Sequence, residues 1–244
     1  MARRRLVNAL SRNVMPMPTQ LPPIKRIRWT QAWRIVPSRY PPVGVFDRIA
    51  DPGDLDALFA LEAATNPRLR DELGALRLVP PARRVTGPGS TPVMAAFTHL
   101  DPAGSRFSDG SWGVFYAAHS VATAIEETVF HRQHFLAATA EPACGIQMRC
   151  YRTAVDARLH DIRGGWVPAQ DAASYTASVA LARELRSAGS NGIVYASARH
   201  RGGECVAAFY PDVVARCVQA QHFIYRWDGQ RIAQVLKVSE VSRP

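Results

Sequence analysis

The sequence predicts an α+β (mixed α/β) domain with a largely antiparallel central sheet flanked by helices. Segments with strand character outnumber helical ones, and the two kinds follow each other in mixed order rather than as a strict βαβ series. The C-terminal third also holds a strand–loop–strand and a hairpin. At 244 residues the chain suffices for one sizeable core.

Residues 1–28 are rich in Pro, Met and Arg without a sustained period, and they read as a basic, flexible extension ahead of a single domain over 29–244. "AWRIV" reads as a short strand between the proline pairs at 22–23 and 41–42. "DPGDLDALFALEAATNP" places Leu55, Leu58, Phe59 and Glu62 at helical spacing, with Pro67 as a break. A Pro/Gly-rich connection at 79–92 leads into "VMAAFTHL", which reads as a strand. "RFSDGSWGVFYAAHSVATAIEETVFH", residues 106–131, reads as a Gly-punctuated loop, a short strand ending at Tyr116 and a helix beginning near Ser120. Further on, "GIQMRCYRTAV" (145–155) has strand character, and "DAASYTASVALARELRSAG" (171–189) forms an amphipathic helix with Gly189 as its C-cap. "GIVYASARHRGGECVAAFYP" gives strand, loop, strand, and the DG turn in "HFIYRWDGQRIAQVLKV" joins two alternating runs. No GxGxxG or P-loop opens a helix after a strand, which argues against Rossmann and Walker sites.

The net charge of +10 is unevenly spread. Residues 1–48 hold ten of the 30 Lys/Arg and one of the 20 Asp/Glu, a net of +9, which leaves +1 for the rest. The basicity therefore belongs to an arm and not to a groove across the body, so direct nucleic-acid binding by the domain is not expected. A binding module acting on nucleic acid or a partner through that arm is the alternative from another class. The four cysteines (Cys144, Cys150, Cys205, Cys217) show no CxxC spacing and read as buried reduced thiols in a cytoplasmic protein. No apolar run reaches the length of a membrane span, and no secretory h-region follows the basic start.

Several side chains point to chemistry when taken together. Arg106, in a loop with Gly110 and Gly113, presents a planar fork suited to phosphate oxygens. Tyr116 shares a strand face with Val114, opposite Phe115, and can stack a flat ring. Glu126 and Glu127 leave different edges of the following helix, whose Val121, Ala124, Ile125 and Val129 pack inward. Either carboxylate, set beside Tyr116, can stabilise positive charge on a ribose as a glycosidic bond breaks. Ser197 stands where a strand ends in a Gly-rich loop beside Arg199, His200 and Arg201, outside any GxSxG elbow. Each residue alone also has an ordinary explanation as a solvated arginine, a core tyrosine, a surface glutamate or a satisfied loop serine. Glu127, His131 and His134 share a helical face, but without HExxH or a third-ligand motif they read as surface and packing groups, and no metal is expected.

Arg106 in "RF", Tyr116 ending "GVFYAA", Glu127 in "ATAIEET" and Ser197 in "GIVYASARHRGG" together resemble the pattern of the RES-domain family, named for its Arg, Glu and Ser. "WRIV", with Arg34, is similar to that family's opening strand, and the resemblance spans roughly residues 30–225. Where many members carry GRFN or GRWN, this chain has "SRFSDGS", and about seventy residues separate "WRIV" from Arg106. Family members are typically toxins of toxin–antitoxin pairs encoded beside an Xre-type antitoxin. The resemblance implies an ADP-ribosyltransferase-like RES domain that consumes NAD by cleaving its nicotinamide–ribose bond, with water or phosphate as acceptor. It also implies that Arg34 and Arg106 hold phosphates or ribose, Tyr116 stacks nicotinamide, Glu127 assists cleavage and Ser197 positions the substrate. The choice of Glu127 over Glu126 follows the family spacing. The expected partners are NAD as substrate and an Xre-family antitoxin, with self-association left open. The same site used for protein ADP-ribosylation is the nearest alternative.

Overall fold

The computed structural model describes residues 20–40, 44–49, 51–55, 57 and 74–239. Seven strands make one sheet: β1 (Ile24–Pro37), β2 (Phe115–Ala118), β3 (Cys144–Asp161), β4 (Gly192–Ala196), β5 (Glu204–Ala208), β6 (Val218–Trp227) and β7 (Ile232–Val238). Their order across the sheet is β1-β2-β5-β4-β3-β6-β7. Every pairing is antiparallel except β3–β4, so the fold is of the predicted α+β class. The described α-helices are α1 (Val45–Arg48), α2 (Thr91–Thr98), α3 (Val121–Ala138) and α4 (Thr176–Ser187). Helix α4 lies within the crossover that the parallel β3–β4 pair requires.

β1 pairs with β3 from Ile24↔His160 to Pro37↔Met148, and it also touches β2 at Trp33↔Ala118. The series β1–β3–β4–β5–β2–β1 therefore closes on itself through a single residue pair. Alternation along the central strands feeds two cores. Val194, Val206, Ala208 and Phe115 pack with Val93, Met94 and Phe97 of α2 on one face. Ile193, Tyr195, Cys205 and Ala207 pack with Ala124 and Leu136 of α3 and with Leu181 and Leu185 of α4 on the other.

The element joining these layers forms as its sequence predicts. β2 runs to Ala118, Ser120 caps α3 by accepting a hydrogen bond from the Thr123 N–H at 3.1 Å, and Ala124 is buried while Val121, Ile125 and Val129 pack partly buried. Gly189, at φ +75°, ends α4, with Ser190 N–H bonded to the Leu185 carbonyl and Gly189 N–H to that of Arg186. The Asp228–Gly229 turn joins β6 and β7.

Four expectations need correction. "VMAAFTHL" is not a strand. Pro92 lies in the first turn of a helix whose Val93, Met94 and Phe97 share one buried face, so a helical period fits the apolar residues better than alternation. The sheet begins at Ile24, inside the segment assigned to the extension. Ile27 and Trp29 turn inward there while Lys25, Arg26 and Arg28 face out, and the outward basic residues hide the strand pattern. Residues 171–175 precede α4 instead of forming its first turn. Cys144 is exposed, whereas Cys150, Cys205 and Cys217 are buried free thiols. Residues 1–19, and most of the helix expected within 51–67, lie outside the described residues.

Gly113, at the entrance to β2, packs directly on α2, where an added Cβ would fall on the Ala96 carbonyl oxygen and Phe97 Cα. Gly113→Ala is expected to lower stability by about 2–4 kcal/mol in urea unfolding, as backbone overpacking does. Gly164→Ala, which would meet nothing within 4 Å, should change it by less than about 0.5 kcal/mol.

Candidate functional site

α3 and the loop after β4 carry the acidic centre. Glu126 is exposed and Glu127 half-buried, as their different edges on the helix require. The Ser197 hydroxyl donates to Glu127 Oε1 at 2.6 Å and itself accepts from the N–H groups of Arg199 (3.2 Å) and His200 (3.0 Å). His200 Nδ1 meets Thr123 Oγ1 at 2.8 Å, which ties this loop to the first turn of α3. With Oε1 engaged by Ser197, Oε2 of Glu127 has no hydrogen-bond partner among the described residues.

β2 supplies the phenol. Tyr116 Oη accepts from the Phe107 N–H at 2.9 Å and lies 2.8 Å from Ser105 Oγ. Burial pushes its pKa up to about 12, against the opposing effects of those hydrogen bonds and of nearby Arg106. The two residues bonded to Tyr116 bracket Arg106 in sequence, so one turn sets both groups. Arg106 is buried, donates from Nη1 to the Asp171 carbonyl at 3.0 Å and lies 4.8 Å from the centre of the Tyr175 ring.

Arg34 comes from β1. Its Nη1 donates to the Tyr116 carbonyl at 3.2 Å, and the guanidinium sits 4.7 Å from the centre of the Phe115 ring. Its Nε is buried without a partner, and burial lowers its pKa. A cation in that position, with no carboxylate partner among the described residues, suits an anion or a hydroxyl-rich ligand.

A cavity of about 520 Å³ opens where β1 and β2 part, lined among others by Arg34, Tyr40, His99, Ser105, Tyr116 and Tyr151. That volume lies in the usual range for a small-molecule site. Of the sequence-selected residues, Arg34 and Tyr116 line the cavity, while Arg106, Glu127 and Ser197 do not. Tyr195 links the two groups. Its buried phenol packs edge-on against Phe107 at 5.0 Å, and the surroundings push its pKa well up, burial first, with Glu127, Tyr116 and Arg106 all close enough to act on it. The selected residues thus fall into two groups, Arg34 and Tyr116 at the cavity and the Glu127–Ser197 pair outside its lining, with Tyr116, Glu127 and Arg106 all near the buried Tyr195.

Sequence reasoning passed over Tyr195, Tyr151 and Arg149. Tyr195 stands two residues before Ser197 on β4, and strand alternation alone could have placed both on one face. Arg149 is buried, bonded through Nη1 to the Tyr40 carbonyl (2.8 Å) and the Tyr151 hydroxyl (3.4 Å), and only three-dimensional pairing brings it beside the cavity wall. His131 and His134 flank Phe130, with ring centres 5.4 and 5.6 Å from its own. Among the described residues no three His, Cys, Asp or Glu side chains gather as a metal-ligand group, and no helix is long and apolar enough to cross a membrane.

A family model, the RES domain, matches residues 81–228. Over 208 residues the chain is 32% identical to the uncharacterized protein y4oC of Sinorhizobium fredii (strain NBRC 101917 / NGR234), an alignment spanning 82% of this chain and 84% of that protein. Among solved structures, a chain of the M. tuberculosis MbcT–MbcA toxin–antitoxin complex aligns with a TM-score of 0.45 at 11% identity, covering 82% of this chain and 86% of that one.

Tyr116→Phe removes the acceptor of the Phe107 N–H and should cost about 1–2 kcal/mol in urea unfolding. The fold favours the neutral phenol, so its contribution to stability is complete below the ordinary tyrosine pKa of about 10 and is lost as pH rises towards about 12. The variant should accordingly lose stability less steeply across that alkaline window.

Proposed function

The chain belongs to the RES-domain family, and from that premise we propose that it is the toxin of a toxin–antitoxin pair and acts by consuming NAD. The observation that carries this reading is the Glu127 carboxylate, fixed at 2.6 Å by Ser197 with no partner for its second oxygen among the described residues, near a buried Tyr195 that Tyr116 and Arg106 also approach. In the proposed reaction the bond between the ribose C1′ and the nicotinamide nitrogen breaks, and its electron pair leaves with nicotinamide. Positive charge develops on the ribose, where the Glu127 carboxylate stabilises it. Water or phosphate then adds at C1′; water gives ADP-ribose and a proton, and phosphate gives the ADP-ribose phosphate ester.

Arg34 and Arg106 fit the phosphates or ribose hydroxyls, because both are cations bonded to neutral carbonyl oxygens instead of carboxylates. Tyr116, whose hydroxyl is occupied by Phe107 and Ser105, offers its ring as a flat wall for nicotinamide. Ser197 acts as a positioning residue by holding one carboxylate oxygen of Glu127. An Xre-family antitoxin as the partner that silences the toxin follows from family membership. A protein acceptor in place of water or phosphate would use the same site.

Purified protein given NAD and phosphate should release nicotinamide. Glu127→Gln should cut kcat by about 100-fold or more, and Arg34→Gln should raise KM about tenfold with a smaller effect on kcat. NAD left intact by correctly folded wild type would sink this function. With adenine-labelled NAD, label on small molecules favours degradation, and label on a macromolecule favours protein ADP-ribosylation.

A further inference from the structure

The segment Asp171–Tyr175 lies against Arg106 and against Arg199 of the Ser197 loop. It leaves a short 3-10 turn (Val167–Gln170), anchored by Gln170 Nε2 to the carbonyls of Ile162 (2.7 Å) and Gly165 (2.6 Å), and enters α4. Residues 171–174 are exposed. Two arginines hold this strap from beneath. Arg106 Nη1 donates to the carbonyl of Asp171 at 3.0 Å, and Arg199 Nη2 donates to that of Ala172 at 2.8 Å. The two guanidinium groups are therefore bridged by a single peptide step.

Neither arginine has a carboxylate partner among the described residues, although an acid is close by. The Asp171 side chain turns away to accept from the Ala173 N–H at 2.8 Å. Elsewhere arginines pair with acids in the ordinary way, as Arg183 does with Asp109 at 2.6 Å and Arg163 with Asp161 at 2.8 Å. Arg199 is also rigidly placed. Its guanidinium lies 3.3 Å from the centre of the Phe130 ring, its backbone N–H bonds the same Ser197 hydroxyl that holds Glu127, and its Nε is buried without a partner. Two fixed guanidinium forks, one with an unused donor, lie next to the proposed catalytic carboxylate, and their acceptors are neutral backbone oxygens.

We propose that Arg199 joins Arg106 in a clamp for the pyrophosphate of the dinucleotide, and that the Asp171–Tyr175 strap covers this clamp until substrate phosphate oxygens displace its carbonyls. The inference rests on the NAD-consuming reading and adds to it a binding residue and a moving part. Charge-assisted hydrogen bonds to a phosphate are shorter and stronger than bonds to a peptide carbonyl, so the exchange favours the anion. Binding energy from the pyrophosphate, remote from the bond that breaks, would thereby move the strap and fix the ribose against Glu127.

The test uses the full chain as wild type, Arg199→Gln, Arg199→Lys and Glu127→Gln, with ADP-ribose and inorganic pyrophosphate as probes. Calorimetry at physiological salt should show Arg199→Gln binding ADP-ribose about tenfold or more weakly than wild type, with Arg199→Lys in between, since lysine keeps the charge without the fork. In steady state with NAD, Arg199→Gln should raise KM by a similar factor and lower kcat as well, because the ribose is then held less firmly against Glu127. Hydrogen exchange of wild type should show the amides of 171–176 exchanging about fivefold or more faster with saturating ADP-ribose. Unchanged exchange there, no binding of either probe by wild type, or equal affinity in Arg199→Gln would each overturn the clamp. The two readings fail separately. ADP-ribose bound through Arg199 by a protein that leaves NAD intact removes the enzymatic function and keeps the clamp, whereas NAD turnover unaffected by Arg199→Gln removes the clamp alone.

Discussion

The site exists because β1 meets β2 at one residue pair and then leaves it. β1 follows β3 along its whole length, so β2 has β5 on one edge and, from Phe115 to Ala117, no paired strand on the other. A strand edge in the interior of a protein leaves backbone groups to be satisfied by other means. Here the Tyr116 carbonyl accepts a hydrogen bond from the Arg34 guanidinium. One polar contact thus completes the sheet, brings a cation into the interior and keeps the gap between the strands open as a cavity. The sheet carries a separate core on each face, and Tyr116 packs against the one that also holds Tyr195 and Phe107.

The distribution of charge partners divides the molecule. Where Lys25, Arg163, Asp161 and Glu204 meet, positive and negative groups satisfy one another, and the Asp161 carboxyl is held below its ordinary range, first by its hydrogen bond to Arg163. That network staples β1, β3 and β5 and has nothing left to offer a ligand. At the cavity and beside the Ser197 loop, Arg34, Arg106, Arg149 and Arg199 donate to carbonyls and a phenol instead. Each gives up hydration without gaining an opposite charge among the described residues, an arrangement more costly than the paired one and therefore informative about function. Glu127 beside them is engaged by a neutral hydroxyl.

What the sequence disclosed depended on whether a feature was local. The turn from β2 into α3, the Ser197 loop and the Asp228–Gly229 hairpin are written in consecutive residues by alternation, capping and turn chemistry, and they stand where their patterns put them. The sheet order, the double pairing of β1 and the approach of Arg199 to residue 172 join positions far apart in the chain, and no periodicity reports such pairings. α2 shows a different limit: five apolar residues in "VMAAF" fit either period over so short a run, and the helix is decided by Pro92 and by the space above the sheet. Of the site, side-chain types and their order were legible. Which of them line the cavity was not, because it depends on pairings between distant strands.

The free thiols bear on how the protein responds to oxidants. Burial raises the pKa of Cys150 and Cys217 to about 12, and it drives Cys205 upward as well. Thiolate is the reactive form, so at neutral pH these three sulfurs remain protonated and inert, like the small hydrophobes they resemble in packing. Cys144, opposite Trp227 on the β3–β6 ladder, alone faces solvent. The native chain consequently offers alkylating reagents and fluorescent maleimides one address, and a spectroscopic label can be attached there without engineering any other cysteine away.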